Sequence, residues 1–385
     1  MRVLHTSDWH LGRSLLSAPL LEHQRTFVEW LVDCAQRESV DAIVIAGDVY
    51  DRAVPTLEAV GILEDALLRL SRIAPVVLIP GNHDSPTRLG FAGPLLAASG
   101  VHIRSTVDAL DSPVLLGAGD ARMAVYGIPF LHPDLHATAL EAERTHESVL
   151  RSAMDRVRAD LRRRDVARSV VVAHAFVTGA RSSDSERDVS VGGIGDVPAD
   201  VFDGIDYVAL GHLHRPQEVQ APGETRACYP GSPLAYSFSE ENQDKGVIVI
   251  DFPDVGPVSV RREHFTSPRS MATIRGRLDD LLAEPSFAEV EDHWIRAVLT
   301  DPRRPANPMD RIRSRFPHAL ELSFEPDHGP GDEPTRMEIV NPLTADPVDV
   351  GCAFIEHVTD TPATELERRT LQEVVDAVRA AQVPR

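Results

Sequence analysis

Lysine is almost missing from this chain of 385 residues: Lys245 is the only one, and every other cationic side chain is an arginine. A Walker A loop needs Lys followed by Ser or Thr, and Lys245 is followed by Gly246, so a phosphate-cradling ATP site of that kind is excluded. Cysteine is equally scarce. Cys34, Cys228 and Cys352 are odd in number, far apart and without a Cys-x-x-Cys pair, which argues against both a disulfide framework and a zinc knuckle. No run of about 18 apolar residues occurs, and the first residues read as a strand entering a motif rather than as a charged stretch leading into an apolar one. The expectation is a soluble, cytoplasmic protein with no membrane partner. Positive charge is in deficit, 39 Lys and Arg against 59 Asp and Glu, for a net charge of -20. Such a chain does not bind nucleic acid through its overall field, because phosphate contacts need clustered cations. A DNA substrate would have to be held by a local arginine patch, by bound metal ions, or by a second subunit.

The length exceeds that of one ordinary domain, so a catalytic core with appended modules is expected. Up to about residue 265, short runs rich in Val and Ile alternate with longer helical patterns. Val3 to Thr6, Ala42 to Ala46, Val76 to Ile79, Met123 to Ile128, Val170 to Ala173 and Tyr207 to Leu210 read as buried strands, and Leu21 to Arg37, Thr56 to Arg72 and the stretch His136 to Arg164 as helices. This is an α/β layered pattern. After Gly211, Glu218 to Ala221, Ala227 to Tyr229 and Val247 to Asp251 read as strands of a second sheet packed on the first. The composition shifts near Phe265 to Ser270. Beyond it the expectation is a small α+β module, with a helix at Arg275 to Ala283, a strand at Ile295 to Thr300, a helix at Met309 to Phe316 and a strand at Ala319 to Phe324. Asp327 to Thr335 reads as a linker, and Pro347 to Val358 and Glu365 to Val378 as two amphipathic helices. The resulting domain division is 1–265, 266–340 and 341–385.

Five polar clusters stand at the ends of predicted strands: Asp8-Trp9-His10, Gly47-Asp48, Gly81-Asn82-His83-Asp84, His174, and Gly211-His212-Leu213-His214. In extended chain, residues i and i+2 point the same way, so Asp-x-His and His-x-His each aim two ligands at one point. Carboxylate, amide and imidazole donors in this number suit two divalent cations that share a carboxylate and keep positions open for water and substrate; they favour Mn2+, Fe or Zn2+, with Mn2+ well matched to the mixture. A lone Asp-x-His or Gly-Asp is usually a turn, and a lone His174 a core histidine. Their joint occurrence at successive strand ends is what points to a metal site.

These residues resemble the full ligand set of calcineurin-like metallophosphoesterases. The neighbouring stretches Thr6 to Gly12, Gly47 to Asp51, Gly81 to Ser85, Asp184 to Arg187 and Gly211 to Pro216, followed by Tyr229 to Pro233, Tyr236 to Phe238 and Lys245-Gly246, are similar to those of the bacterial SbcD family, nuclease subunits of SbcCD complexes. The resemblance implies a two-sheet sandwich flanked by helices, a small α+β capping domain and C-terminal helices. It implies that Asp8, His10 and His214 hold one metal and Asn82, His174 and His212 the other, with Asp48 bridging. His83 would then stabilise the transition state or protonate the leaving group, with Asp84 orienting it. Arg13, Arg52, Arg88, Arg181, Arg187 and Arg215, in or beside the motif loops, are the candidate DNA phosphate contacts.

By the same resemblance the activities are 3′ to 5′ exonuclease action on double strands and endonuclease action on single strands and hairpins, in DNA repair, recombination and replication. The partner is an SbcC ATPase subunit, two copies of each chain forming a heterotetramer. The homodimer contact is placed on Leu21 to Arg37 and Thr56 to Arg72. The SbcC contact is placed on the C-terminal helices, where Val350, Phe354, Ile355 and Val358 offer one apolar face and Leu371, Val374, Val375 and Val378 another. A purple acid phosphatase is disfavoured because its Tyr ligand, three residues after the bridging Asp, falls here on Asp51. The alternative is a small-molecule phosphodiesterase, such as one acting on cyclic nucleotides.

Overall fold

The computed structural model describes residues 1–118, 122–186, 195–326, 346–359 and 361–381; Arg187, the expected linker from Asp327 to Thr335 and the side chain of Val358 lie outside the described residues. Two compact units divide the chain, one made of Met1–Leu299 with Ala306–Ser323, the other of Thr300–Pro305 with Phe324–Arg385.

In the first unit the strands of three or more residues are, in chain order, β1 (Arg2–Thr6), β2 (Ala42–Ala46), β3 (Val76–Ile79), β4 (Val101–Ile103), β5 (Val114–Leu116), β6 (Met123–Ile128), β7 (Arg168–His174), β8 (Tyr207–Gly211), β9 (Gln217–Gln220), β10 (Arg226–Tyr229), β11 (Gly246–Asp251), β12 (Ser259–His264), β13 (Met271–Gly276), β14 (Trp294–Leu299) and β15 (Ala319–Phe324). One sheet has the order β12-β11-β1-β2-β3-β4 and a second the order β9-β10-β8-β7-β6-β5. In the first, β1 to β4 are mutually parallel and β11 runs antiparallel to β1. In the second, β6, β7, β8 and β10 are parallel.

Alternation along the strands sets the layers. In β2, Ala42, Val44 and Ala46 belong to the core between the sheets, as do Val170 and Val172 of β7. Ile43 and Ile45 point the other way, against α1 (Leu21–Arg37) and α2 (Leu57–Leu70), which contribute Phe27, Leu31, Ile62 and Leu63. Val171 and Ala173 meet Val149, Leu150 and Met154 of the helix His146–Leu161. The order is therefore helices, sheet, sheet, helices, and strands apolar on both faces are what such a sandwich requires. Each fully buried Leu, Ile, Val or Phe contributes roughly 1.5–3 kcal/mol relative to exposure.

Three expectations are corrected. The stretch His136 to Arg164 is two helices, Pro133–Leu140 and His146–Leu161: Glu141 ends the first in the left-handed region at φ 53°, and the Thr145 side chain caps the second by accepting from the Ser148 amide. The strands after Gly211 do not make a sheet of their own. Those at 217–229 join a sheet begun by β5, while β11 returns to β1, because Val247 and Ile248 supply one apolar side chain to each flanking core. Finally, Arg275 lies in β13 and the helix starts at Leu278, so the third sheet, β13-β14-β15, has a strand that composition did not announce.

In the second unit the helices Pro347–Thr359 and Glu365–Ala381 pair, with Gly351 lying against Leu371. Thr364 and Glu367 exchange hydrogen bonds as a capping box at the start of the latter. No helix among the described residues is long and apolar enough to cross a membrane.

Candidate metal centre

Every predicted ligand sits at, or just past, the carboxyl end of a parallel strand. Asp8 and His10 follow β1, Asp48 follows β2, Asn82 follows β3, His174 ends β7, and His212 and His214 follow β8. Five strands from two sheets thus deliver their ends to one crevice, where ligands bind in open α/β sheets. The β7–β8 register pairs His174 with Gly211, which puts the two histidine motifs of the second sheet side by side.

Bringing the loops together forces unusual backbone. Asp8 (φ 54°), His10 (φ 45°), Asp48 (φ 47°) and His212 (φ 108°) all have positive φ, a cost of order 1–3 kcal/mol each that persists only where surrounding contacts over-determine it. Those contacts are visible: the Asp8 amide donates to Gly47 O at 3.0 Å, the His10 amide to Asp48 O at 3.0 Å, and the His212 amide to Asp8 Oδ1 at 3.0 Å. At Gly211 a Cβ would lie 1.8 Å from the Ala46 carbonyl oxygen, so only glycine lets the second sheet approach β2 this closely.

Asp48 is central. Its Oδ2 lies 3.5 Å from His174 Nε2, 3.7 Å from His10 Nε2 and 3.9 Å from His83 Nε2, and its Oδ1 accepts the His83 amide at 2.9 Å. On one side Asp8, His10 and His214 bring ligand atoms together; on the other Asp48, His174 and His212 do, with Asn82 Oδ1 at 2.9 Å from His174 Nε2 and 3.1 Å from His212 Nδ1. His10, Asp48 and His83 form a third such group, so His83 stands within coordinating distance as well. The His10 and His214 Nε2 atoms face each other at 3.0 Å, and the buried His10 Nδ1 has no hydrogen-bond partner.

Burial is the largest electrostatic influence throughout. It raises Asp8 to about 6, and it lowers His212 to about 3 and His10 well below the usual imidazole range. For Asp48, burial works upward, but the surrounding His174, His10 and His83 charges prevail and hold it well below the ordinary carboxylate value. His174 is the counterpart: burial would lower it, yet Asp48 lifts it to about 9. Its Nδ1 donates to Ala46 O at 2.8 Å, which leaves Nε2 turned to the centre. Buried imidazole rings gathered around an ionised carboxylate, with an amide oxygen beside them, have the donor types of a two-cation site, and the residues fit the group.

The remaining candidates divide. His83 Nδ1 contacts Asp51 O at 2.7 Å, while Asp84 accepts the amides of Val49, Tyr50 and Gly81 at 2.9–3.0 Å. Asp84 thus ties two motif loops together. Burial, with the Asp48 charge, pushes it up to about 7. Arg13 lies over the Tyr236 ring at 5.0 Å, donates to Ser185 O at 2.7 Å and keeps a buried, unpartnered NH1. Arg215 Nε is likewise buried and unpartnered. Arg52, Arg88 and Arg181 are exposed, Arg52 lying 3.7 Å from Asp51.

Several participants had no role in the sequence reading. The Tyr236 ring walls His10 and His214 at centroid distances of 5.4 and 5.6 Å, and Gln24 donates to His10 O at 2.8 Å. Ser185, Glu186, Glu240 and Lys245 surround His214. Tyr236, Ser185, Glu186 and Lys245 fall in stretches that carry the resemblance, whereas Glu240 left no signal there. Burial works to raise Glu240, but Lys245 and His214 hold it well below the usual carboxylate range.

A crevice of this kind belongs to metal-dependent phosphoester hydrolases, and the family model of the calcineurin-like phosphoesterases matches residues 1–216. The chain belongs to that family. Residues 267–359 match a second model, SbcD_C, described as the type 5 capsule protein repressor C-terminal domain, and the pairing of the two modules is consistent with SbcD. Among solved structures, a dimetal phosphatase from Danio rerio is similar at 10% identity over 69% of this chain and 96% of its own, with a TM-score of 0.43. The calcineurin-like phosphoesterase YfkN from Bacillus subtilis is similar at 14% identity over 69% of this chain and 90% of its own, with a TM-score of 0.38.

Proposed function

We propose that this hydrolase is a two-metal DNA nuclease of the SbcD type, acting as exonuclease on double-stranded ends and as endonuclease on single strands and hairpins, in the cytoplasm, with an SbcC ATPase as partner. The observation that carries the reading is the occurrence in one chain of the Asp8, His10, Asp48, Asn82, His174, His212 and His214 donor set and the module at 267–359. Residues 1–265 are the nuclease domain, 266–340 the cap and 341–385 the SbcC-docking segment, with two copies of each chain paired through α1 and α2.

Asp8, His10 and His214 would hold one cation, Asn82, His174 and His212 the other, and Asp48 both. When bound, two divalent ions, Mn2+ in this reading, activate water as Lewis acids and neutralise charge developing on phosphorus oxygens. The chain's own residues supply orientation and proton transfer. Asp48 keeps the two ligand groups at a common centre through its single oxygen near three imidazoles. His83, fixed at Nδ1 by the Asp51 carbonyl, turns Nε2 into the crevice, where a proton on it passes to the leaving alcohol oxygen as the P–O bond breaks. Arg13 and Arg215, beside the crevice loops, would bring cationic charge toward flanking phosphates. SbcC would supply most of the DNA affinity that a chain of net charge -20 lacks.

The test is cleavage of a labelled hairpin DNA beside a cyclic nucleotide, with Mn2+, using the chain alone and with SbcC plus ATP. Hairpin cutting that rises with SbcC and disappears in Asp48→Asn is the expected result. Turnover of the cyclic nucleotide with inert DNA would keep the metal chemistry and move the substrate to a small phosphodiester.

A further inference from the structure

We propose that Ser185, Glu240 and Lys245 form a buried relay that presents His214 to its metal, making them positioning residues for the cation on the Asp8 side. The inference rests on His214 being a ligand, as read above.

His214 is held at every polar atom except Nε2. Its amide donates to Glu186 Oε1 at 2.7 Å, its carbonyl accepts from Lys245 Nζ at 2.9 Å, and its Nδ1 lies 2.5 Å from Ser185 Oγ. The Ser185 hydroxyl also contacts Glu240 Oε1. A hydroxyl has one proton, and an ionised carboxylate accepts only. Ser185 therefore donates to Glu240 and accepts from His214 Nδ1–H. That order of donation selects the tautomer in which Nε2 carries the free lone pair, and Nε2 is the atom turned toward His10.

Glu240 is kept in place in turn. It is 1% exposed, and its Oε2 meets Lys245 Nζ at 2.5 Å, while Lys245 also donates to Ser232 Oγ at 3.0 Å. The chain's single lysine is thus spent inside the protein, tying the Glu240 carboxylate and the His214 backbone to one ammonium group. A carboxylate behind a ligating histidine orients the ring and raises its basicity, and loss of such a partner costs about 10–100-fold in metal affinity. Here the carboxylate acts through a serine. On the other side of the centre, His174 Nδ1 rests on the neutral Ala46 carbonyl, so the two ligand groups differ in the charge behind their histidines. The stretches Asp184 to Arg187 and Lys245-Gly246 acquire a chemical purpose by this route.

Mn2+ alone is titrated into the metal-free full-length chain, with free Mn2+ read by electron paramagnetic resonance and stability by melting in chelator. The wild type takes two ions. Ser185→Ala and Glu240→Gln are expected to weaken one of them about 10–100-fold and leave the other unchanged, while Ser185→Thr, which keeps the hydroxyl, recovers most of the affinity. Should Glu240→Gln fail to fold with Lys245 unpaired, Glu240→Gln with Lys245→Met removes both charges and is expected to show the same selective loss. If these variants bind both ions normally while His214→Ala loses one, the relay is overturned and the ligand assignment stands. Equal weakening of both ions in step with lost stability also overturns it, since that marks a purely structural role. If His214→Ala binds both ions normally, the ligand assignment fails and takes the relay with it.

Discussion

His83 occupies the most consequential position for a single side chain. Its Nε2 is 3.9 Å from Asp48 Oδ2, in a group of candidate ligands, yet it follows the candidate ligand Asn82 on a loop that would already supply one donor. As a general acid it should be dispensable for metal binding and costly for turnover. His83→Ala is therefore expected to bind two Mn2+ ions and to cleave roughly 10²–10⁴-fold more slowly. Calorimetric titration beside a cleavage assay separates the roles, because loss of an ion would make His83 a ligand. His5 gives a prediction of a different sort. It is fully buried beside the Tyr207 hydroxyl, at 3.0 Å, and burial depresses it to about 3. As pH falls below 6.5 the unfolded chain takes up a proton there while the folded chain does not, so the stabilising contribution present above pH 6.5 is lost progressively toward pH 3. The loss amounts to about 2 kcal/mol between pH 6.5 and pH 5. Denaturant titrations in chelator should show His5→Gln losing about that much less than the wild type over the same interval. Equal losses would mean that His5 is not held neutral.

At the scale of elements, the centre depends on how closely two sheets approach at their carboxyl ends. Gly211 ends β8 with its Cα directed at the Ala46 carbonyl, and a methyl group there would meet that oxygen at 1.8 Å. The obstacle is backbone, which cannot rotate away as a side chain would. Gly211→Ala is expected to cost about 3 kcal/mol or more in stability, at the upper end for overpacking, and to abolish Mn2+ binding by displacing His212 and His214. Thermal melts with and without Mn2+ check both, and a variant with wild-type melting would show that the approach is not tight in solution. The Asp84 carboxylate acts at the same scale, since three amides from two loops converge on it and hold Asp48 and Asn82 in register.

For the whole molecule, the question raised by the proposed nuclease function is how an acidic hydrolase would reach DNA. The proposed division assigns affinity to a partner and chemistry to this chain, with the C-terminal helices as the link. Within that pair Leu371 is used internally against Gly351, whereas Phe354, Val374 and Val378 stay 65%, 57% and 51% exposed. Removal of residues 341–385 is expected to abolish SbcC binding, read by co-purification of the two chains, and to leave Mn2+ binding by the remainder unchanged. Undiminished binding to SbcC would remove the docking role from these helices.

The chain's own pattern was enough to define the α/β class, most strand positions and the seven candidate ligands, because ligand-type residues recur just past predicted strand ends. The extended i, i+2 geometry expected there is not what forms, since Asp8, His10 and His212 have positive φ. Lys245 and Glu240 show where that ends. Five residues apart, they meet on His214, which lies 31 residues from Lys245, only after β11 has returned to the first sheet beside β1. Asp84 is similar: its place beside His83 did not announce the three amide donors that the folded loops bring to it. Local periodicity determined which residues could serve as ligands. Only the packing of one sheet on the other decided which atoms face the centre, because hydrogen-bond partners of buried polar groups come from whichever strand end the topology places alongside.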